Sequence, residues 1–324
     1  MMEKHQIEKP VAELFERFQQ AFAKSLQSDV RTIQSAIEKI HLSNGKQIRP
    51  LLLLLTAESC GKATPASIEF AVLLEMLHTA SIIHDDVIDE TKQRRGFPSL
   101  NAIYDNRIAV LVGDFILSDT LARANRTGEN QIVSIIANLC REMVEGEIKQ
   151  LEISDEIMLS EKEYMVTLEK KTAALLAACT EIGAITAGAD HALQVKCRQF
   201  GRLLGCSFQI KDDIFDYFDN QHIGKPSGND IREGKITLPL LYALGSTPEI
   251  EVVGYMDILQ KRQFTPENII ALVEFAKARG GIEYATSCMI EYKNKAIEII
   301  ETFPPSEAKN SLLLLADYLV NRVK

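Results

Sequence analysis

The chain has 324 residues, 46% of them hydrophobic and 25% charged, with a formal net charge of −9 and a pI near 5.3. An acidic balance of this size argues against nucleic acid as a bulk partner. Six cysteines (60, 140, 179, 197, 206 and 288) show no CxxC or zinc-like spacing, so they read as small buried residues of a reducing compartment. The opening "MMEKHQIEKPVAELF" lacks the basic-then-apolar layout of a signal peptide. No uninterrupted apolar run reaches the roughly 18 residues of a membrane span, and the expected location is the cytoplasm.

Helical periodicity dominates along the whole chain. The first motif is "GKQIRP" at 45–50, where Lys46 and Arg49 stand three apart just before a Leu-rich run. Pro50 is placed to open that helix, and helix N-termini favour anions. Next, "IEFAVLLEMLHTASIIHDDVIDE" (68–90) carries apolar residues at three- and four-residue spacing. Near its end Asp85, Asp86 and Asp89 crowd together, and Arg94 and Arg95 follow. On a helix, Asp85 and Asp89 share one face about 5–6 Å apart at Cβ, where like charges repel. Either they lie on a solvated face, or they share a hard, oxygen-seeking cation such as Mg²⁺.

Two further helical stretches run over 130–151 and 168–189, the second containing Lys171 and Thr172 in "EKKTAAL". Then "FQIKDDIFDYF" (208–218) repeats the acidic pattern at Asp212, Asp213 and Asp216. Two such clusters on helices otherwise rich in Ile and Phe are costly to bury without metal. Neither has the alternating Asp-x-Asp-x-Asp-Gly loop of an EF-hand, and no His pair offers zinc-ligand spacing. A metal–diphosphate site is therefore favoured over a solvated face. Lys225 and Lys235 follow in "GKPSGNDIREGK". Breaks fall at 44–46, 94–99, 224–230, 245–249 and 303–307. With no strand run, repeat or linker, the expectation is one all-α domain over 1–324.

Taken together, "GKQIRP", "HTASIIHDDVIDETKQRRG", "KKTAALLAACTEIGA" and "FQIKDDIFDYFDNQHIGKPSGNDIREGKITLP" resemble the signatures of trans-isoprenyl diphosphate synthases, the polyprenyl synthetase family. The resemblance runs from residue 45 to about 239 in the family's order and spacing, and the C-terminal quarter carries no motif. It implies an all-α isoprenoid synthase fold around a deep cavity, and a homodimer. It also implies repeated head-to-tail addition of isopentenyl diphosphate to an allylic diphosphate. By motif, Asp85, Asp89 and Asp212 would bind Mg²⁺, three ions in all, with Asp86, Asp213 and Asp216 supporting them through metal waters. Arg94, Lys171, Lys225 and Lys235 would hold the allylic diphosphate; Lys46, Arg49, His78 and Arg95 the isopentenyl diphosphate. Thr172 and Gln209 match polar positions near the reacting carbons. Gln150, in "EGEIKQL", stands where farnesyl synthases often present another metal-binding Asp. His84 reads as packing beside the cluster, and Phe208, Phe215 and Phe218 as either cavity lining or core.

Short-chain relatives often block the product tunnel with aromatic residues four or five positions before the first Asp. Here those positions are Ser81 and Ala80. Each isoprene unit adds five carbons, worth about 4 kcal/mol when buried. The expectation is a long chain, octaprenyl as best estimate within a heptaprenyl-to-decaprenyl range. The alternatives are a geranylgeranyl or farnesyl synthase, or the catalytic subunit of a heteromeric heptaprenyl synthase. A class I terpene cyclase also uses DDxxD but lacks "GKQIRP".

Overall fold

The computed structural model describes residues 2–42, 45–94, 96–156, 160–218 and 227–321. Helices α1 (Met2–Glu8), α2 (Ala12–Ser25), α3 (Arg31–Leu42), α4 (Ile48–Cys60) and α5 (Pro65–Ile88) lead to a small hairpin. Its strands are β1 (Gln93–Arg94) and β2 (Phe97–Pro98), paired antiparallel. Then come α6 (Leu100–Ile103), α7 (Asn106–Arg126), α8 (Asn130–Glu156), α9 (Glu161–Leu168) and α10 (Ala174–Thr186), with a π turn over Glu169–Ala173 joining the last two. The remainder is α11 (His191–Asp216), α12 (Asn229–Arg232), α13 (Leu238–Ser246), α14 (Glu249–Gln260), α15 (Pro266–Ala278), α16 (Gly281–Glu301) and α17 (Glu307–Asn321). The all-α expectation holds, and the two-residue strands are the exception to it among the described residues.

The chain forms two compact units. The first gathers Met1–Leu139, Ala178–Arg198 and Thr302–Leu315. At its centre α5 packs against α7, α4 and α2. Leu51 to Leu55 of α4 and Phe70 to Leu73 of α5 are fully buried, as expected of helices that are apolar on every side. Helix α5 is long and apolar enough to cross a membrane by composition, but 67% of that window is buried inside the protein. Its start is fixed by Pro65 in the first turn and by a capping box in which Thr64 and Ser67 serve each other's backbone amides. Its end is fixed where Asp89 N–H returns to the Asp85 carbonyl at 2.8 Å. Gly96, at φ +82°, then turns the hairpin in a conformation that suits glycine.

The second unit gathers Cys140–Ala177, Gln199–Glu301 and Ala316–Lys324. Helix α13 packs against α9, α15 and α16. Ile210, Ile214 and Tyr217 are buried, which fixes the rotation of α11. That rotation leaves Asp212 and Asp216 part-exposed and buries Asp213.

Periodicity predicts one helix over 168–189; the structure divides it with the π turn. Two glycines bring neighbouring helices close at that point. A Cβ at Gly146 of α8 would lie 2.7 Å from the Lys171 amide nitrogen, and one at Gly205 of α11 would lie 2.5 Å from Ala173 Cα. Helix α4 opens at Ile48, with Pro50 third inside it, and α13 continues to Ser246, into the predicted break at 245–249. Positions 44, 95 and 224–226 of the predicted breaks lie outside the described residues.

Candidate active site

In the first unit the acidic motif sits on the last turn of α5. Asp85 and Asp89 are part-exposed and Asp86 is buried. Asp86 faces Arg94 of β1: Nε and Nη2 both donate to Asp86 Oδ1 at 2.7 Å. The Asp86 carbonyl accepts Asn101 Nδ2 at 3.0 Å and the Thr91 amide at 2.9 Å. The hairpin is thus anchored to the helix by the middle aspartate, and the outer two are part-exposed. Arg94, expected with the allylic diphosphate, lines one cavity with Gly45, Glu75, His78, Ile82 and Asp86. That cavity encloses about 680 Å³ including its open mouth. At 100° per residue His78 lies within about 20° of Asp85 on the α5 wheel, so it joins the acidic turn to this cavity. Lys46 is exposed just ahead of α4, and Arg49 is part-buried in its first turn. Between them Gln47 takes a left-handed backbone at φ 52°, and its side chain accepts Gln19 Nε2 at 3.1 Å.

In the second unit the motif closes α11. Asp213 accepts Tyr164 O–H at 2.5 Å on one oxygen and Gln209 Nε2 at 2.8 Å on the other, and Thr172 Oγ1 donates to Gln209 Oε1 at 2.9 Å. Burial raises the Asp213 carboxyl to about 6; the charges of Asp212 and Asp216 add to that rise, while its two hydrogen bonds oppose it. Asp216 instead caps α12, accepting the amides of Asn229 at 3.1 Å and Asp230 at 2.9 Å. Lys171, Thr172, Gln209, Asp213 and Lys235 line a second cavity together with Tyr164, Gln150 and Asp230. Lys235 pairs with Glu233 at 2.7 Å. Arg95 and Lys225, both expected to bind substrate, lie outside the described residues.

The donors are hard carboxylate oxygens, the class Mg²⁺ selects, and Asp212, Asp216 and Asp230 crowd the buried Asp213. Among the described residues no three acidic, His or Cys side chains converge into a closed cage. That agrees with an ion bound by one or two carboxylates that takes its other oxygens from water and phosphate. The residues fit the metal.

A profile of the polyprenyl synthetase family matches residues 30–275. The chain belongs to the polyprenyl synthetase family. It is a polyprenyl diphosphate synthase, a prenyltransferase. It is 36% identical over 300 residues to an octaprenyl diphosphate synthase of Haemophilus influenzae, covering 92% of this chain and 90% of that one. Among solved structures it resembles a polyprenyl synthase of Caulobacter crescentus complexed with calcium and isoprenyl diphosphate, with a TM-score of 0.92 and 31% identity over 98% of both chains. It also resembles a geranylgeranyl pyrophosphate synthase of Bacteroides thetaiotaomicron, with a TM-score of 0.86 and 37% identity over 99% of this chain and all of that one.

Several residues of this synthase's cavities escape sequence reasoning. Tyr164 and Asp230 both border Asp213, and burial raises the acid of each well above its ordinary range. The signal for Asp230 was present, since "GND" lies inside a motif already singled out. Tyr164 lies seven residues before Lys171 in "EKEYMVTLEKK", ahead of the motif that begins at Lys170. His84 packs on α7, its Nε2 3.3 Å from Asp114 Oδ1, where only Gly113 leaves room for the ring. Phe218 is exposed, with Lys277 5.4 Å from its ring centroid.

Proposed function

We propose that this polyprenyl diphosphate synthase makes a long all-trans chain, octaprenyl as best estimate, by adding isopentenyl diphosphate repeatedly to farnesyl diphosphate. The relatives divide between long and short products, so the proposal rests on this chain's own residues. The observation that carries it is the pair of small side chains, Ala80 and Ser81, just before the first aspartate. No ring at those positions stops the tail along α5.

Asp85, Asp89 and Asp212 hold Mg²⁺, three ions with substrate bound, and Asp86, Asp213 and Asp216 support them. Bound there, the ions withdraw charge from the departing diphosphate. Lys171, Lys225, Lys235 and Arg94 hold that diphosphate, and Lys46, Arg49, His78 and Arg95 hold isopentenyl diphosphate. The allylic C–O bond ionises, the isopentenyl double bond attacks the cation, and a proton leaves. Thr172 and Gln209 present oxygens beside the reacting carbons, and electrostatic stabilisation carries the rate with no protein nucleophile. The calcium and isoprenyl diphosphate of the Caulobacter protein support a divalent ion and this substrate class. The chain works as a single polyprenyl synthetase domain and as a homodimer. Its six free cysteines suit a reducing cytoplasm.

Incubating the purified protein with labelled isopentenyl diphosphate, farnesyl diphosphate and Mg²⁺, and sizing the products, tests the proposal. Chains of seven to ten isoprene units are expected. Accumulation of geranylgeranyl diphosphate as the end product would establish the short-chain reading instead.

A further inference from the structure

Lys171 is held by two acceptors from one neighbouring helix. Its Nζ lies 2.5 Å from Glu147 Oε2 and donates to Gln150 Oε1 at 2.6 Å. Helix α8 reaches that close because residue 146 is glycine, where any Cβ would press on the Lys171 amide and on Lys170 Cβ. The π turn then carries Lys171 and Thr172 into the cavity shared with Gln209 and Asp213. Of the two acceptors only Glu147 is charged. Nearby pairs from the same helix differ: Glu145 with Lys170 is more exposed, at 48% and 34%, whereas Glu147 is 13% exposed. Lys171 also lines the cavity, and Lys170 does not.

We propose that Glu147 is a positioning residue whose charge sets the diphosphate affinity of Lys171. The inference rests on the reading that Lys171 holds the allylic diphosphate. An ammonium paired with a carboxylate at contact presents a dipole to the cavity rather than a full charge. It still directs a hydrogen bond at diphosphate but attracts it less at a distance. A processive synthase gains from that restraint. Each condensation leaves one inorganic diphosphate, which must depart before the elongated chain takes its place. Gln150, neutral and of fixed reach, aims the ammonium without weakening it further.

The test is Glu147→Gln in the full-length protein. The amide oxygen still accepts from Lys171, so geometry is kept and only charge is lost. Calorimetric titration with inorganic diphosphate and Mg²⁺ is expected to give about tenfold tighter binding. KM for the allylic substrate and kcat should fall together as release slows. Damage to packing alone would weaken binding and raise KM. Glu147→Met, uncharged and of equal length, applies the same test should the first variant fail to fold. The gain should vanish in Glu147→Gln/Lys171→Ala. Unchanged or weaker diphosphate binding by both Glu147 variants, with Lys171→Ala itself impaired, would overturn the proposal. Unimpaired binding by Lys171→Ala would instead overturn the reading on which it rests.

Discussion

At the scale of single residues the two acidic motifs divide labour by burial. In each the middle aspartate is buried and occupied, Asp86 by Arg94 and Asp213 by Tyr164 and Gln209, while the flanking carboxylates stay partly open to solvent. The proposed function assigns Mg²⁺ to the flanking Asp85, Asp89 and Asp212. Asp85→Ala and Asp212→Ala are each expected to lower turnover by at least about a hundredfold at saturating Mg²⁺, on the scale of losing a principal electrostatic contribution. Circular dichroism should stay unchanged, because removing one carboxylate relieves repulsion in the metal-free protein. Near-normal turnover in either variant would remove that residue from the metal set. Asp213 supplies a pH-dependent counterpart. Its folded pKa of about 6 exceeds its ordinary 3.8, so it favours the folded state while protonated. That contribution is complete below 3.8 and is lost as pH rises towards 6. Above pH 6 its charge is buried beside Asp212 and Asp216, a cost that a divalent cation bound at this cluster would offset. Thermal melts should show Mg²⁺ raising Tm more at about pH 8 than at about pH 5.5. An equal rise at both would mean that the ion does not reach this cluster.

At the scale of elements, helices whose apolar period runs unbroken were legible in advance, and those shaped by neighbours were not. The stretch 68–90 predicts α5 almost to its ends, because Pro65 and the run of buried apolar residues act locally. The π turn at Glu169–Ala173 left no trace in "LEKKTAALLAA". Its extra residue per turn answers to α8 and α11 closing in at Gly146 and Gly205, which is tertiary information. The hairpin at 93–98 is likewise too short for an alternation pattern, and it exists because Arg94 reaches back to Asp86. The motif aspartates were readable as two acidic clusters on helices. Tyr164 and Glu147 were not, since each matters only through the side chain it meets. Gly146→Ala tests the close approach directly. The new methyl would meet backbone nitrogen at 2.7 Å, and rigid backbone yields less than a side-chain tip. A loss of about 1–3 kcal/mol in stability is expected, with activity reduced further by displacement of Lys171. Denaturant melts showing stability within error of the parent would mean that α8 can retreat without cost.

At the scale of the whole molecule the question is where elongation stops. Catalysis ends at the diphosphate, whereas product length is set by how much apolar tail the protein can take in. Each added unit is worth about 4 kcal/mol if fully buried, so growth continues until something blocks it. Ser81 lies one turn before Asp85 and points the same way along α5. Ala80 is only 2% exposed, so a ring there would disturb the core as well as the tail. Ser81 is part-buried and its hydroxyl is turned back onto the His78 carbonyl at 2.9 Å, so it is the cleaner site for a block. Ser81→Phe is expected to yield farnesyl- to geranylgeranyl-length product. The first condensation should proceed near its normal rate, because Asp85, Asp89 and the diphosphate-binding cations are left in place. Tm should change little, since Ser81 is only part-buried and lies outside the packed core. Reversed-phase chromatography of the products decides it. A shortened ladder with intact early turnover supports a tail running along this face of α5. An unchanged long product from a folded Ser81→Phe protein would mean that the tail leaves the metal site along another helix, and that chain length is set there.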